Sequence, residues 1–307
     1  MLPIRLALLA LLIASSTLLH VTPILLVSLL KAVLPFKRLQ SAANPLLTGI
    51  AESWIGFNGW LWDRFTHTRL ELREDAALRM DGHYLVLANH QSWVDILVLQ
   101  KVFNRRIPFM RFFLKRQLIW VPLLGLAWWA LDFPFMGRYS KKQIARNPEL
   151  AGRDIEATRR ACDKFRAIPV SIMNFVEGTR FTAGKHAKQG SPYRHLLKPK
   201  SGGVAFVLDA MGDGLHAIVD VTIVYPGGSP SLLDLLADRI PEVRVQVRQR
   251  AIHAEILSGD YQHDRAFRAR FQQWMNGLWV EKDADIARLL GGDGKTADQR
   301  KEMAPVV

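Results

Sequence analysis

A long apolar run without charges at the amino terminus constrains this chain more than any other feature. Residues 6–30 contain no Asp, Glu, Lys or Arg and are dominated by Leu, Ile, Val and Ala. A helix that rises about 1.5 Å per residue would cross the roughly 30 Å of bilayer hydrocarbon over such a run. The run is also longer than the core of a secretory signal peptide. We therefore predict an uncleaved transmembrane helix, with a cleaved signal peptide as the alternative.

The charges that flank this run predict its orientation. Lys31, Lys37 and Arg38 follow it, whereas only Arg5 and the terminal amine precede it. The positive-inside rule then favours a cytoplasmic position for the rest of the chain. A second apolar segment, residues 45–62, contains four Trp or Phe residues and one acid. It fits either a helix at the membrane interface or a helix packed on the globular body, and the sequence leaves both open.

The chain is strongly basic, and the excess is concentrated in two windows. Its 307 residues include 41 Lys or Arg and 28 Asp or Glu, a net charge of +13. Residues 96–131 and 178–208 each contain six basic residues and no acid. Such an excess predicts an anionic partner. The single cysteine, Cys162, excludes an intrachain disulfide and any cysteine-based zinc or iron–sulfur site. We also expect no metal and no bound cofactor.

Hydrophobic patterns predict an α/β fold with a mixed central sheet flanked by helices, preceded by the transmembrane helix. Short apolar or alternating runs indicate strands at 83–88, 170–176, 217–224 and 243–247. Helical spacing is found at 150–165, at 202–211 and in an aromatic stripe at 267–279. Residues 106–113 fit a strand or a turn with a helix. Residues 119–137 fit an interfacial shelf, the wall of a tunnel, a second span or core packing.

An H-x-x-x-x-D element directly follows the first predicted strand. Residues five apart on one helix lie on different faces, so His90 and Asp95 can meet only if His90 precedes the helix. Ser92 is a suitable N-cap, which would place Asp95 in the first turn. A carboxylate bonded to one imidazole nitrogen leaves the other free to take a proton from a hydroxyl. The alternative is that Asp95 completes a capping box and His90 is an ordinary loop residue.

A second motif, Glu177, Gly178, Thr179 and Arg180, follows the predicted strand at 170–176. A guanidinium at a strand end can bind a phosphate through two hydrogen bonds. An exposed turn that happens to contain an arginine is the alternative. The two motifs would form one site if their strands are neighbours. No G-x-S-x-G or H-E-x-x-H is present, which argues against a serine hydrolase of that type and a zinc protease.

Over residues 84–226, these motifs resemble the membrane-bound lysophospholipid and 1-acylglycerol-3-phosphate acyltransferases. The N-H-x-S-W-x-D element at 89–95 resembles the first conserved block of that family, and Glu177 to Arg180 the third. Lys115 and Arg138 lie in a stretch that resembles the second block. The strand that ends at Pro226 resembles the fourth block in the branch of large lysophosphatidic and lysocardiolipin-type enzymes. The whole chain most resembles the bacterial YihG-type branch.

The resemblance implies specific roles. His90 would be the general base and Asp95 the acid that orients it, while Arg180 and Arg138 would bind the acceptor phosphate. Lys115, Gly178 and Thr179 would belong to the same binding site, and Glu177 would either order Arg180 or contact the glycerol.

The resemblance also implies substrates and a location. The acceptor would be a lysophospholipid, above all 1-acyl-sn-glycerol-3-phosphate, and acyl-CoA or acyl carrier protein would be the acyl donor. The implied location is a bacterial inner membrane, with the catalytic domain in the cytoplasm and in contact with membrane lipids. Residues 1–70 would form the anchor and interfacial helix, 71–290 the acyltransferase domain and 291–307 a flexible tail.

One hypothesis from another class follows from the charge alone. Aromatic residues interleaved with Lys and Arg also occur in proteins that bind single-stranded nucleic acid. A membrane-tethered nucleic-acid-binding protein without catalysis is therefore the alternative. No known nucleic-acid module is recognisable, and each basic window follows one of the two motifs, so the sequence favours the enzyme.

Overall fold

The computed structural model describes residues 2–34, 36–137, 139, 141–150, 152–166, 168–257 and 259–291. Most of the predicted tail, residues 292–307, thus lies outside the described residues. The α-helices within these ranges are α1 (Leu2–Val33), α2 (Lys37–Phe65), α3 (Val94–Phe103), α4 (Leu124–Ala130), α5 (Lys141–Arg146), α6 (Arg153–Phe165), α7 (Ala183–Gln189), α8 (Ser201–Met211), α9 (Leu232–Leu236), α10 (Ala254–Leu257) and α11 (Arg265–Gly291). The strands are β1 (Arg69–Asp75), β2 (His83–Ala88), β3 (Met110–Phe112), β4 (Leu114–Lys115), β5 (Phe135–Met136), β6 (Val170–Phe175), β7 (Ala217–Val224) and β8 (Glu242–Arg250).

The main sheet is mixed, which confirms the predicted fold class. Its order is β1-β8-β7-β2-β6-β3, and β4 and β5 form a separate two-stranded sheet. Strand β2 is parallel to both of its neighbours, β6 and β7, whereas β7 and β8 are antiparallel. Every residue of β7 is buried, as expected for a strand covered on both faces. The predicted strands at 83–88 and 217–224 are confirmed with those bounds.

Alternation along β2 divides the hydrophobic core between the two faces of the sheet. Tyr84 and Val86 belong to one apolar cluster, which also includes residues of α2 and α3. Leu85 and Leu87 belong to the other, which is covered by α6, α8 and α11. Successive side chains of a strand point to opposite faces, so β2 is packed on both sides. Its carboxyl end is therefore a rigid support for the loop that follows.

Helices α1 and α2 pack against each other at the amino terminus. Helix α1 has 32 residues and is the one described helix that is long and apolar enough to cross a membrane. Large apolar side chains such as Leu11 and Leu19 are exposed along it. At its start, the Arg5 guanidinium donates to the backbone oxygen of Phe65 and lies 3.5 Å from Asp238. The amino-terminal end of α1 thus touches the globular body.

The structure decides or corrects several local predictions. Residues 119–137 are not one continuous span, because they contain the end of a 3-10 turn, helix α4 and the short strand β5. Trp120 in that turn is 84% exposed, as an interfacial shelf would require. Residues 106–113 contain strand β3. The helix expected at 150–165 begins at Arg153, and strand β1, which the sequence did not reveal, lies at the sheet edge.

Candidate active site

The two sequence motifs meet at the carboxyl ends of neighbouring parallel strands. Ala88, the last residue of β2, is paired with Phe175, the last residue of β6. Parallel strands end at the same edge of a sheet, so the loops that follow are adjacent. The predicted meeting of the two motifs is therefore found in the structure. Asn89 fixes the first loop, because its side chain exchanges two hydrogen bonds of 2.9 Å with the backbone of Ile223 in β7.

His90 and Asp95 form a hydrogen-bonded pair. His90 Nδ1 lies 2.8 Å from Asp95 Oδ2, with His90 in the loop and Asp95 in the first turn of α3. The same carboxylate oxygen accepts from the backbone N–H groups of Gln91 at 2.6 Å and Ser92 at 2.8 Å. A carboxylate only accepts hydrogen bonds, so the Nδ1 atom of His90 carries the proton. The helix begins at Val94, two residues after the predicted cap.

A tyrosine that the sequence reasoning missed completes this pair. Tyr225 Oη donates to Asp95 Oδ1 at 2.7 Å, and both side chains are buried. Burial and the nearby charge of Asp95 raise the pKa of Tyr225 well above its ordinary value, so the phenol stays a donor. Tyr225 directly precedes Pro226, which was singled out in the fourth block. Its position next to Pro226 was the sequence signal that could have drawn attention to Tyr225. That position does not indicate a hydrogen bond to Asp95, which lies 130 residues earlier.

The second motif holds His90 in place through its backbone. The His90 N–H donates to Glu177 Oε1 at 2.8 Å, and the His90 carbonyl accepts from the Phe181 N–H at 2.7 Å. The imidazole stacks on Phe175 with ring centroids 3.9 Å apart. Among the described residues, His90 Nε2 has no hydrogen-bond partner, and the side chain is 13% exposed. The ring is therefore fixed in orientation while one nitrogen remains accessible.

Glu177 is a fully buried carboxylic acid that links two loops. Its Oε2 atom accepts from the Leu197 N–H at 2.9 Å, in addition to the bond from His90. Burial raises the pKa of Glu177 to about 7, and these two backbone hydrogen bonds oppose the rise. The sequence offered two roles for Glu177, ordering Arg180 or contacting a glycerol. The contacts show neither role, because the carboxylate is occupied by backbone donors.

Arg180 connects the two motifs through an aromatic ring. Its guanidinium carbon lies 5.0 Å from the ring centroid of Trp93, a residue of the histidine loop close to Asp95. This cation–π contact holds an exposed guanidinium beside the loop. Thr179 accepts a hydrogen bond of 2.8 Å from Lys185 Nζ, and Gly178 has φ of +67°, a conformation that favours glycine.

No contact between described residues links Lys115, from the second block, to the His90–Asp95 pair or to the Glu177–Arg180 motif. Lys115 ends strand β4 and is exposed, and its side chain forms no hydrogen bond or ion pair with a described residue. Arg138 lies outside the described residues. A cavity of about 760 Å³ lies next to Lys115 in the chain, and its lining includes Arg116, Trp120 and Arg153. Over the described part of the chain, no group of three or more His, Cys, Asp or Glu residues could hold a metal ion.

A comparison with known protein families identifies the family of the chain. Residues 69–226 match the Acyltransferase family, which is half of the chain. The chain belongs to the Acyltransferase family. This membership favours the enzyme over a nucleic-acid-binding protein without catalysis.

Three named relatives of this acyltransferase family member show how far the similarity extends. The chain is 29% identical over 215 residues to mouse 1-acyl-sn-glycerol-3-phosphate acyltransferase gamma, a match of 66% of this chain and 52% of the relative. It is 26% identical over 253 residues to Arabidopsis thaliana 1-acyl-sn-glycerol-3-phosphate acyltransferase 3, a match of 76% and 61%. Saccharomyces cerevisiae 2-acyl-1-lysophosphatidylinositol acyltransferase is 23% identical over 265 residues, a match of 71% and 64%. The chain thus spans between half and two thirds of these relatives.

A solved structure shares the fold. The crystal structure of the 1-acyl-sn-glycerophosphate acyltransferase PlsC from Thermotoga maritima aligns with a TM-score of 0.50 at 16% sequence identity. The alignment covers 91% of this chain and 98% of that one. At this level of identity the likeness concerns the fold alone.

Proposed function

We propose that this protein transfers a fatty acyl group to the free hydroxyl of a lysophospholipid, with 1-acyl-sn-glycerol-3-phosphate as the first candidate acceptor. The product from that acceptor is phosphatidic acid. The observation that carries the proposal is the His90–Asp95 hydrogen bond of 2.8 Å, with an accessible Nε2 atom on the loop whose Trp93 holds the exposed Arg180 guanidinium. A base and a cation at one sheet edge suit an acceptor that has both a hydroxyl and a phosphate.

The proposed reaction is a direct transfer. His90 Nε2 takes the proton of the acceptor hydroxyl while the hydroxyl oxygen attacks the carbonyl carbon of an acyl thioester. The new C–O bond forms, the C–S bond breaks, and the departing thiolate receives the proton from the imidazolium. Asp95 stabilises the imidazolium because its carboxylate is already bonded to Nδ1. Tyr225 and two backbone N–H groups hold that carboxylate in position.

Direct transfer requires no acyl-enzyme intermediate. The one cysteine, Cys162, is buried, and burial raises the pKa of its thiol to about 12. A thiol rather than a thiolate is a poor nucleophile, which supports direct attack by the acceptor. The donor in this proposal is acyl-CoA or acyl carrier protein, both of which are anionic and complement the basic chain.

Phosphate binding belongs to the second motif in this proposal. Arg180 has an exposed guanidinium held against Trp93, so it can bind an acceptor phosphate through two hydrogen bonds. Gly178 and Thr179 supply the loop next to it. Lys115 and Arg138 are further candidates through the family resemblance. Glu177 acts on the reaction through the backbone of His90, so we assign it a positioning role.

The proposed location is a membrane surface, with the body in the cytoplasm of a bacterium. Helix α1 supports this location through its length, its apolar composition and its exposed leucines. Lipid acceptors reside in the bilayer, so an anchor of this kind brings the site to its substrate. Arg5 contacts Phe65 and Asp238, so the body lies beside the amino-terminal end of α1, and the cytoplasmic location rests on the family resemblance rather than on the basic residues that follow α1.

The experiment that tests this function is an acyl-transfer assay on the purified, detergent-solubilised protein. Lysophosphatidic acid, lysophosphatidylinositol and lysophosphatidylglycerol are each offered with acyl-CoA or with acyl carrier protein, and products are measured by mass spectrometry. We expect the fastest transfer to lysophosphatidic acid. Transfer to none of these lysolipids would refute the proposed acceptor class.

A further inference from the structure

The segment between α7 and α8, residues 191–200, lies against the Glu177–Arg180 motif. The Lys200 N–H donates to the Val176 carbonyl at 2.8 Å, and the Leu197 N–H donates to Glu177. The first contact joins the backbone of the segment to the end of strand β6, and the second joins it to the buried carboxyl group. The segment therefore has a fixed position relative to the second motif.

Lys200 extends its side chain over Gly178. A Cβ atom built on Gly178 would lie 3.1 Å from Lys200 Cδ and 3.2 Å from Lys200 Nζ. The absence of a side chain at Gly178 thus makes room for the lysine, and its amine stands within a few ångströms of the motif. Lys200 is exposed, and its side chain forms no hydrogen bond or ion pair with any residue of the described ranges.

Lys185, another lysine close to this motif, is hydrogen-bonded to it. Lys185 Nζ donates to Thr179 Oγ1 at 2.8 Å and to the Arg180 carbonyl at 2.9 Å, so it supports the loop itself. The Lys200 side chain has no such hydrogen bond within the described part of the chain, and no acid occurs in the sequence from 178 to 208. An exposed amine without an acidic partner there, over Gly178 in the same short motif as Arg180, attracts an anion from solution.

The carboxyl-terminal helix α11, which lies after the family match, braces this segment. Asp283 accepts from the backbone N–H groups of Arg194 at 2.8 Å and His195 at 2.7 Å. Four residues earlier, Trp279 Nε1 donates to the Leu197 carbonyl at 3.1 Å. Lys282, between them, is fully buried and donates to the backbone carbonyl of β7 at 2.7 Å. The sheet, α11 and the segment thus form one rigid unit that presents Lys200.

We propose that Lys200 is a further ligand of the acceptor phosphate, acting together with Arg180. This inference rests on the proposed function and adds a residue to its binding site. Lys200 lies over Gly178 and Arg180 is two residues further along the same loop, so the two cations can contact different oxygens of one phosphate. Hydrogen bonds between charged groups are stronger than those between neutral groups. Lys200 contributes a point charge, whereas Arg180 supplies the planar fork.

The test compares Lys200→Met with Lys198→Met in the full-length, detergent-solubilised protein. Lys198 is another exposed lysine two residues earlier, so it is a matched control for loss of one positive charge. We expect Lys200→Met to raise the KM for lysophosphatidic acid about tenfold, the equivalent of about 1.4 kcal/mol. The kcat and the KM for the acyl donor are expected to stay near their wild-type values. Lys200→Arg is expected to recover most of the loss.

The acceptor KM values of the two variants decide whether Lys200 binds the phosphate. An acceptor KM for Lys200→Met equal to that of Lys198→Met would overturn the proposal, and so would a rise confined to the donor KM. An unfolding midpoint like that of the wild type shows that the variant folds. If the wild type acylates no lysolipid, the proposed function fails together with this inference. If the wild type is active and Lys200→Met behaves like Lys198→Met, only the inference fails.

Discussion

Replacement of Glu177 by glutamine tests how a buried acid supports the histidine loop. The wild-type carboxyl group accepts one hydrogen bond on each oxygen, from the N–H groups of His90 and Leu197, and the protonated acid can still accept on both oxygens. A glutamine has only one oxygen, so its amide N–H₂ must face one of these two donors. A buried donor without an acceptor costs about 1–3 kcal/mol. We therefore expect the Glu177→Gln variant to be less stable than the wild type at pH 5.

The stability difference between wild type and variant is expected to depend on pH. Burial raises the pKa of Glu177 from its ordinary value of 4.5 to about 7, so the protonated acid is favoured in the folded state. The stability that this protonation contributes is complete below pH 4.5 and is lost as the pH rises through 7. At about 1.4 kcal/mol for each pH unit, this interval corresponds to roughly 3 kcal/mol. The amide of the Glu177→Gln variant does not titrate, so the wild type should lose its advantage between about pH 5 and pH 8.

The assay is denaturant unfolding of both proteins in detergent at pH 5, 6, 7 and 8, with Glu255→Gln as an exposed control. The free energy of unfolding of wild type minus that of Glu177→Gln is expected to fall by roughly 3 kcal/mol over this range. The acyl-transfer rate of Glu177→Gln is expected to be about ten times lower at every pH, because the loss of an acceptor for either the His90 or the Leu197 N–H weakens the support of the His90 loop. A stability difference that stays constant from pH 5 to pH 8 would refute the reasoning.

Two further substitutions test other parts of the site and its support. Tyr225→Phe removes the 2.7 Å hydrogen bond to Asp95 but leaves its three other donors, so we expect the acyl-transfer rate to fall by about two- to tenfold. An unchanged rate would contradict the role given to the phenol. Lys282→Met leaves the buried Asp220 with only Arg250 as an ionic partner among the described residues, and we expect about 3–5 kcal/mol lower stability in denaturant unfolding at neutral pH. A loss below about 1 kcal/mol would contradict the importance of this buried pair.

Local patterns in the sequence were sufficient for much of the fold. The apolar runs of β2 and β7 have the predicted bounds because a strand buried on both faces has little besides apolar side chains. Strand β1 was missed because its seven residues include five charges, which is compatible with an edge strand but equally with a loop. Helix α6 begins three residues later than expected, after Gly152 in a left-handed conformation.

The sequence did not predict those contacts of the site that join residues far apart in the chain. The spacing of His90 and Asp95, with a strand before and a helix after them, was enough to predict their meeting. By contrast, the phenol of Tyr225 and the ring of Phe175 reach this pair only through the order of β6, β2 and β7 in the sheet. The role of Glu177 was also hidden, because its partners are backbone N–H groups and nearly any residue type supplies them.

The role of His90 as the base in acyl transfer can be tested against a second, exposed histidine of the chain. His263 and Asp260 form an exposed pair with a 2.7 Å contact, so His263→Ala removes the same kind of interaction at an exposed position. In the acyl-transfer assay with lysophosphatidic acid, we predict that His90→Ala lowers the rate at least about a hundredfold, as expected for loss of a general base. His263→Ala should retain the wild-type rate. A His90→Ala protein that folds and transfers acyl groups at the wild-type rate would contradict the account.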